Sequence, residues 1–351
     1  MKPSLVVHIG APKTGTTYLQ SLLWANKAHL ADQGVLLPGD RQRFHFRAGA
    51  DLYGDQGLER TRGPGTAGYW KKFVKAVKRS SAATVVLTDE RLAGLPPSGV
   101  ELVRELSDER EIHIIYGVRN LASLLPSAWQ TQVRHGTKQP FLDWTKRILT
   151  SAPGDEDRPQ FWERHDVADV VRRWSEAVSE PSHIHVLTVP ARSAGPDELW
   201  KRFAKAGGFP STLPVMEAPR INTTLDYAQT EFMRRVNAEL ADDLAHDDYR
   251  RYMRNMLSHR LMAGMEKGGG PKVPPRLRSQ IDTRAGEVID YLKNSDVDFV
   301  GDIEDLTPEL GPKHNAPSDE EVLNASVEAM AALMRALAKG GRPLGADPPG
   351  Q

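Results

Sequence analysis

Leu5-Val6-Val7-His8-Ile9-Gly10-Ala11-Pro12-Lys13-Thr14-Gly15-Thr16-Thr17-Tyr18-Leu19 is the stretch that decides the fold. Leu5 to Ile9 is a short apolar run rich in β-branched residues, the composition of a buried strand. Gly10 to Gly15 interrupts it with two glycines and a proline. From Thr16 to about His29 the apolar positions Leu19, Leu22 and Leu23 fall at helical spacing. Strand, glycine loop and helix in succession form the opening unit of an α/β sheet.

The loop has its own chemistry. A glycine turn between strand and helix aims backbone N–H groups at one point, and the helix N-terminus adds partial positive charge there. Lys13 supplies a full charge, and Thr14, Thr16 and Thr17 supply hydroxyls. An ordinary strand-to-helix turn needs none of these groups, so their convergence indicates an anion cradle. The pattern departs from the GxxxxGK[ST] loop of kinases and ATPases. Gly10 and Gly15 keep the separation, but Thr16 stands where that lysine belongs, and the lysine has moved back to position 13.

Outward from this unit, Thr84 to Leu87 reads as a second strand ending at Thr88-Asp89-Glu90, followed by a helix over about Ser98 to Asp108. Ile112 to Val118 is a third strand, ending at Arg119. The next helix runs to about Arg134 and contains Pro126, which either sits in its first turn or bends it. Val167, Val170, Val171, Trp174 and Val178 form an amphipathic stripe, Ile184 to Val189 is a fourth strand, and Leu199 and Phe203 belong to the helix after it. The chain reads as helical from about Leu225, broken by Gly268-Gly269-Gly270-Pro271. Ser318 with Asp319, Glu320 and Glu321 caps a terminal helix to about Ala338, and the Gly/Pro-rich remainder reads as a disordered tail. Residues 39–69 show no period and are expected to be an irregular loop, of the kind that can serve as a substrate lid. The domain expectation is therefore one α/β domain over residues 1–310 and a terminal helix with tail over 311–351.

The 351 residues carry 46 Lys plus Arg and 46 Asp plus Glu, a formal net charge of zero. No global basic field exists to hold nucleic acid or an acidic membrane, so an anionic ligand must be held by a local pocket. There is no cysteine, which excludes disulfides, thiolate metal sites and a cysteine nucleophile. Nothing approaches the roughly 20 apolar residues of a membrane span. The N-terminal run is too short for a signal peptide. A soluble, cytoplasmic protein is the expectation.

Pro12-Lys13-Thr14-Gly15-Thr16-Thr17-Tyr18 resembles the 5′-phosphosulfate loop of sulfotransferases that use 3′-phosphoadenosine 5′-phosphosulfate (PAPS). In these enzymes Pro-Lys-[Ser/Thr]-Gly-Thr-Thr precedes an aromatic residue. A second match follows in order. Val118-Arg119-Asn120 closes a strand, and Ser127 stands eight residues after Arg119, as in the family's 3′-phosphate segment. An Arg at a strand end and a Ser two turns on can reach one phosphate. The general layout resembles bacterial members through about residue 305.

The resemblance implies a P-loop-like three-layer α/β/α fold with a central, mostly parallel sheet. It implies PAPS as co-substrate, bound by Lys13, Thr14, Gly15, Thr16, Thr17, Tyr18, Arg119 and Ser127, with no metal required. The acceptor would be a small molecule, carbohydrate or lipid, with no nucleic-acid partner and no membrane insertion. A late Arg-Lys-Gly segment found in cytosolic members has no clean copy here, Lys267-Gly268 being a poor substitute, so a third 3′-phosphate contact stays unassigned. Arg220-Ile221-Asn222-Thr223 resembles a segment of bacterial members and reads equally as a helix cap.

Sulfonate transfer needs the acceptor proton removed and the leaving phosphate stabilised. Lys13 is the choice for the leaving side. For the base, the topology points to the end of the second strand, where the family supplies a His or, in several carbohydrate-acting members, a Glu. Glu90 is preferred over Asp89 for its reach. His45, in Arg43-Phe44-His45-Phe46-Arg47, is the reserve, and His8 reads as a core histidine. Two other functions compete. One is a P-loop kinase or hydrolase, with Val85 to Glu90 as a Walker B-like strand holding Mg²⁺; the other is a non-catalytic nucleotide-binding protein. Arg41, Arg43, Arg47, Arg60 and Arg62, interleaved with Phe44, Phe46, Tyr53 and Tyr69, form either an acceptor-binding loop or a solvated basic one.

Overall fold

The computed structural model describes residues 2–54, 65–195, 197–216, 225–240, 243–265, 268–311 and 316–338. The chain divides into two compact units. The first comprises Met1–Asn120, Pro153–Pro219 and Asp282–Thr307. The second comprises Leu121–Ala152, Arg220–Ile281 and Pro308–Gln351. The helix containing Pro126 and the terminal helix share one unit, because each packs on helix Tyr227–Leu240.

The first unit is a three-layer α/β sandwich. Its sheet has strands β1 (Ser4–Gly10), β2 (Val35–Leu36), β3 (Thr84–Thr88), β4 (Glu111–Val118), β5 (Ile184–Thr188) and β6 (Asp298–Val300). They lie in the order β2-β3-β1-β4-β5-β6, and every pair is parallel. The period-2 geometry of β1 sends Leu5, Val7 and Ile9 into one core layer and Val6 into the other. On the first face lie helices Tyr69–Arg79, Pro97–Arg104 and Val167–Ser175, through Phe73, Val103 and Trp174. On the second lie helices Thr16–Ala25 and Glu198–Gly207, through Leu19, Leu23, Trp200 and Phe203. β2 and β6 are too short to be visible as apolar runs in the sequence.

The order of the strands fixes where a ligand can sit. Chain leaving β1 heads toward β3 and β2, whereas chain leaving β4 heads toward β5 and β6. In open parallel sheets, the crevice for ligand opens outside the carboxyl ends of strands at such a switch point. The glycine loop leaves β1 at this place, and Arg119 leaves β4 beside it.

Residues 39–69 differ from the irregular loop expected of them. Gln42–Leu52 is an α-helix whose buried positions include His45, Ala48 and Leu52. Its apolar content is low for a core helix, which hides the period, and Gly49 sits in it because Asp89 occupies the space a side chain would need. Arg60 and Arg62 lie outside the described residues.

The second unit is helical, with helices Leu121–Arg134, Phe141–Thr150, Tyr227–Leu240, His246–Tyr249 and Asp319–Ala338, and a wide-turn π stretch over Arg250–Leu261. Pro126 is inside its helix and buried. Trp129 is fully buried against Phe141 and Tyr227, with ring centroids 5.2 and 5.7 Å away. Asn237 ties the unit together: its amide donates to the Val133 carbonyl at 2.7 Å and its Oδ1 accepts from the Tyr249 hydroxyl at 2.7 Å. The terminal helix is capped as its sequence indicates. Ser318 Oγ accepts from the Glu321 amide at 3.2 Å, and Glu321 Oε2 accepts from the Ser318 amide at 2.7 Å, a reciprocal capping box. The expected disordered tail and Arg220 to Thr223 lie outside the described residues, as does Lys267.

Candidate active site

The loop after β1 owes its shape to two close approaches. Gly10, at φ 109°, lies so near β3's end that a Cβ would come within 2.5 Å of the Glu90 carbonyl oxygen. Gly117 on β4 lies under Thr14, whose Oγ1 would be 2.6 Å from an added Cβ. Any other residue at either place would push the loop off the strand ends. Gly117 is invisible to motif reading, because nothing local marks it; only the neighbouring loop makes it necessary.

Within the loop, the Thr14 hydroxyl donates to the Ala11 carbonyl at 2.7 Å, closing a tight turn. Lys13 takes a left-handed backbone with φ 68°, which costs a non-glycine residue roughly 1–2 kcal/mol. The Arg119 guanidinium holds that bend, donating from Nη1 to the Lys13 carbonyl at 2.9 Å. Gly15, at φ 86°, is left-handed as well, and such residues in a turn can aim N–H groups at one concave point. Helix Thr16–Ala25 begins at Gly15 with no side chain capping it and no acid in its first turn. Its first-turn N–H groups and the positive end of its dipole thus follow directly on the loop.

Asp89 and Glu90, adjacent in sequence, have different fates. Asp89 is buried, and its carboxylate accepts from the Arg91 Nε through Oδ1 at 2.9 Å and from the Arg91 amide at 3.0 Å. Arg91 Nη2 also donates to Asp89 Oδ2, making a fork, and stacks its guanidinium 3.6 Å from the Phe46 ring centroid. Asp89 thus fastens β3's end to helix Gln42–Leu52. Glu90 points the other way: it is half-buried, and its Oε2 accepts from the Thr16 hydroxyl at the start of the loop's helix. Of the two carboxylates, Glu90 is the one on the loop.

His45 is committed to the fold. Its Nδ1 accepts from the Thr88 amide at 3.2 Å, so Nε2 carries the proton and donates to the Pro38 carbonyl at 2.9 Å. Burial holds its pKa down at about 4. With its lone pair engaged by a peptide N–H, the ring has no free acceptor for a substrate proton. His8 is buried beside it, with Nδ1 2.8 Å from Thr88 Oγ1 and burial lowering its pKa to about 3. The same Thr88 hydroxyl accepts from Gln20 at 3.1 Å, and Gln20 accepts from Gln42 at 2.6 Å. This buried polar chain, which sequence reading missed, locks the loop's helix to β3 and helix Gln42–Leu52.

The remaining predicted residues are distributed as follows. Thr16 is buried, Thr17 is exposed on the first turn, and Tyr18 is half-buried against the Leu19–Trp200 core. Ser127 is half-buried in helix Leu121–Arg134 of the second unit. Of the aromatic residues of segment 39–69, Phe46 is exposed, whereas Phe44 lies 5.7 Å from Tyr69, and Tyr69 carries Arg47 at 4.9 Å from its ring centroid. Arg41 and Arg43 are exposed. No group of three or more His, Asp or Glu among the described residues is arranged to hold a metal ion. No helix among the described residues is long and apolar enough to cross a membrane.

No protein-family model matches the chain, and no curated protein matches it. A crystal structure of a sulfotransferase from Alicyclobacillus acidocaldarius is similar over 72% of this chain and 100% of its own, at 14% identity and a TM-score of 0.40. At that distance the likeness carries no argument about activity. What the site can do rests on its own residues.

Proposed function

We propose that the chain is a sulfotransferase that moves a sulfonate group from PAPS to a hydroxyl or amine of an acceptor. The observation that carries this reading is the contact of Arg119 with the Lys13 carbonyl at the switch point between β1 and β4. It joins the two sequence motifs, each assigned to one end of a doubly phosphorylated nucleotide, through one hydrogen bond. The loop N–H groups, the helix N-terminus and Thr14 to Thr17 would bind the 5′-phosphosulfate. Arg119 would meet the 3′-phosphate, with Ser127 the second residue of the same sequence motif. Tyr18 is assigned to the adenine side by the resemblance alone.

In the step itself, the acceptor oxygen or nitrogen attacks sulfur, and the bond from sulfur to the bridging phosphate oxygen breaks. Negative charge builds on that oxygen, and Lys13 offsets it. Glu90 takes the acceptor proton, after which adenosine 3′,5′-bisphosphate leaves. Glu90's contact with Thr16 supports this role, since it holds a carboxylate at the start of the loop's helix. The engagement of Asp89 by Arg91 argues against a Walker B-like Mg²⁺ site, because the carboxylate such a site needs is already bound on both oxygens. Proteins that merely bind nucleotide have no use for a base at this place.

The test is direct. Recombinant protein incubated with labelled PAPS and a panel of sugars, phenols, amines and lipid headgroups, in the presence of EDTA, should transfer label to one class. Strict Mg²⁺-dependent turnover of ATP with no transfer from PAPS would overturn the proposal.

A further inference from the structure

Leu323, Val327, Met330, Met334 and Leu337 stand out on the terminal helix Asp319–Ala338. They are 61%, 59%, 55%, 52% and 49% exposed, and Phe46 and Val215 are the other large apolar side chains exposed among the described residues. Their spacing is four, three, four, three, a period of 3.5, which is the seam of a two-stranded coiled coil. In heptad terms Leu323, Met330 and Leu337 take the d positions, and Val327 and Met334 the a positions. The face opposite the seam is already used: Val322, Ala325 and Ala329 are buried, and the helix packs on Tyr227–Leu240. An α-helix apolar on both faces is one that is covered on both faces.

The flanks of the seam are equally unlike a solvated surface. Asn324, Ser326, Ala331 and Ala338 are small and uncharged, which permits close approach of a second backbone. From Val322 to Ala338 the only charges are Glu328 and Arg335. We propose that two copies of this chain pair through this seam, antiparallel about a two-fold axis near Met330. A partner must itself present a seam of period 3.5, and the same helix of a second copy does so; a two-fold interface is self-complementary by construction. Five large side chains, about half exposed on each copy, cover on the order of the 1,000 Å² that a specific interface needs.

Charge sets the direction. The first turn carries Asp319, Glu320 and Glu321. A parallel pair would set these acidic turns side by side, whereas an antiparallel pair separates them and opposes the helix dipoles. The pairing stands on the helix alone and is independent of the activity proposed above.

Sedimentation equilibrium of the full chain at micromolar concentration should give twice the chain mass. The variant Val327→Glu with Met334→Glu should sediment as a monomer with unchanged far-UV circular dichroism, because both positions face outward on an intact helix. A monomeric parent protein overturns the proposal, whether the seam is then covered by the chain's own segments or by vesicle lipid. So does a dimer that persists in the double variant. The absence of cysteine makes a second test clean. Leu323→Cys mixed with Leu337→Cys should form a disulfide-linked dimer under mild oxidation, and Leu323→Cys alone should not; self-linking of Leu323→Cys overturns the antiparallel arrangement.

Discussion

Opposite ends of one sheet carry two clusters of titratable groups, and they are held differently. At the carboxyl ends of β1, β3 and β4 stand Lys13, Glu90 and Arg119 around a bent loop, with Glu90 bonded by Thr16 and Arg119 bonded to the Lys13 carbonyl. Near the amino ends of β4, β5 and β6 stand His113, His183 and His185 with Glu111 and Asp298. There His113 Nδ1 lies 3.1 Å from His185 Nε2, and His185 Nδ1 lies 2.7 Å from Asp298 Oδ2. The second cluster is richer in histidine and its members pair mostly with one another. It sits away from the switch point, where no loop turns its N–H groups inward. A crowd of ionisable side chains is therefore a poor guide by itself; the end of the parallel sheet and the backbone around the cluster separate a site from a structural network.

The widest predicted separation between the two ends is in turnover. Glu90→Gln should lower kcat by about 10²–10⁴, the usual contribution of a general base, while keeping affinity for adenosine 3′,5′-bisphosphate. His185→Gln, at the other end, should leave kcat unchanged. Steady-state kinetics with PAPS check both, and equal losses would erase the distinction. A second prediction sharpens the contrast between neighbours at the carboxyl end of β3. Asp89→Asn should destabilise the protein by about 3 kcal/mol, the scale for breaking a buried ion pair, whereas Glu90→Gln should shift stability far less. Urea unfolding of the two variants reads this directly.

Arg119→Ala tests the nucleotide assignment. Adenosine 3′,5′-bisphosphate should raise the melting temperature of the parent protein more than AMP does, and the variant should lose that difference. A charge-assisted hydrogen bond to a phosphate corresponds to about 1.5–3 kcal/mol, or roughly tenfold to a hundredfold in affinity. A difference that survives would remove Arg119 from the 3′-phosphate. The smallest effect belongs to the histidine end. Burial, with His183 and His185 adding repulsion, holds the His113 pKa down at about 4. The unfolded chain, with its histidine near 6.5, takes up protons between these values that the folded chain refuses. Folding stability should therefore fall as pH drops from 6.5 toward 4. His113→Gln should flatten that slope by less than about 1.4 kcal/mol per pH unit, given partial solvent screening. An unaltered slope would mean that His113 is not held neutral by the fold.

Much of the first unit was legible because it is written locally. β1, β3, β4 and β5 appear as apolar runs and the loop as glycine punctuation; in the second unit the terminal helix appears as a Ser-x-x-Glu cap. Residues that escaped did so for identifiable reasons. β2 and β6 span only Val35–Leu36 and Asp298–Val300, too short for a period to show. Helix Gln42–Leu52 hides behind charge and glycine, since His45, Phe46 and Gly49 meet Thr88, Arg91 and Asp89 and only part of the helix faces the apolar core. The split into two units depends on which helices pack together, which no local pattern encodes.

Sequence alone determined the α/β class, the strand-loop-helix unit around Gly10 to Thr17 and the short list of acids and bases, because residue type and spacing carry that information. Only the tertiary structure separated Asp89 from Glu90, spent His45 on two backbone groups, and made Gly117 indispensable. Each of those outcomes turns on what lies within a few ångströms across strands far apart in the chain. Chemistry is a property of side chains, but availability for chemistry is a property of their neighbours.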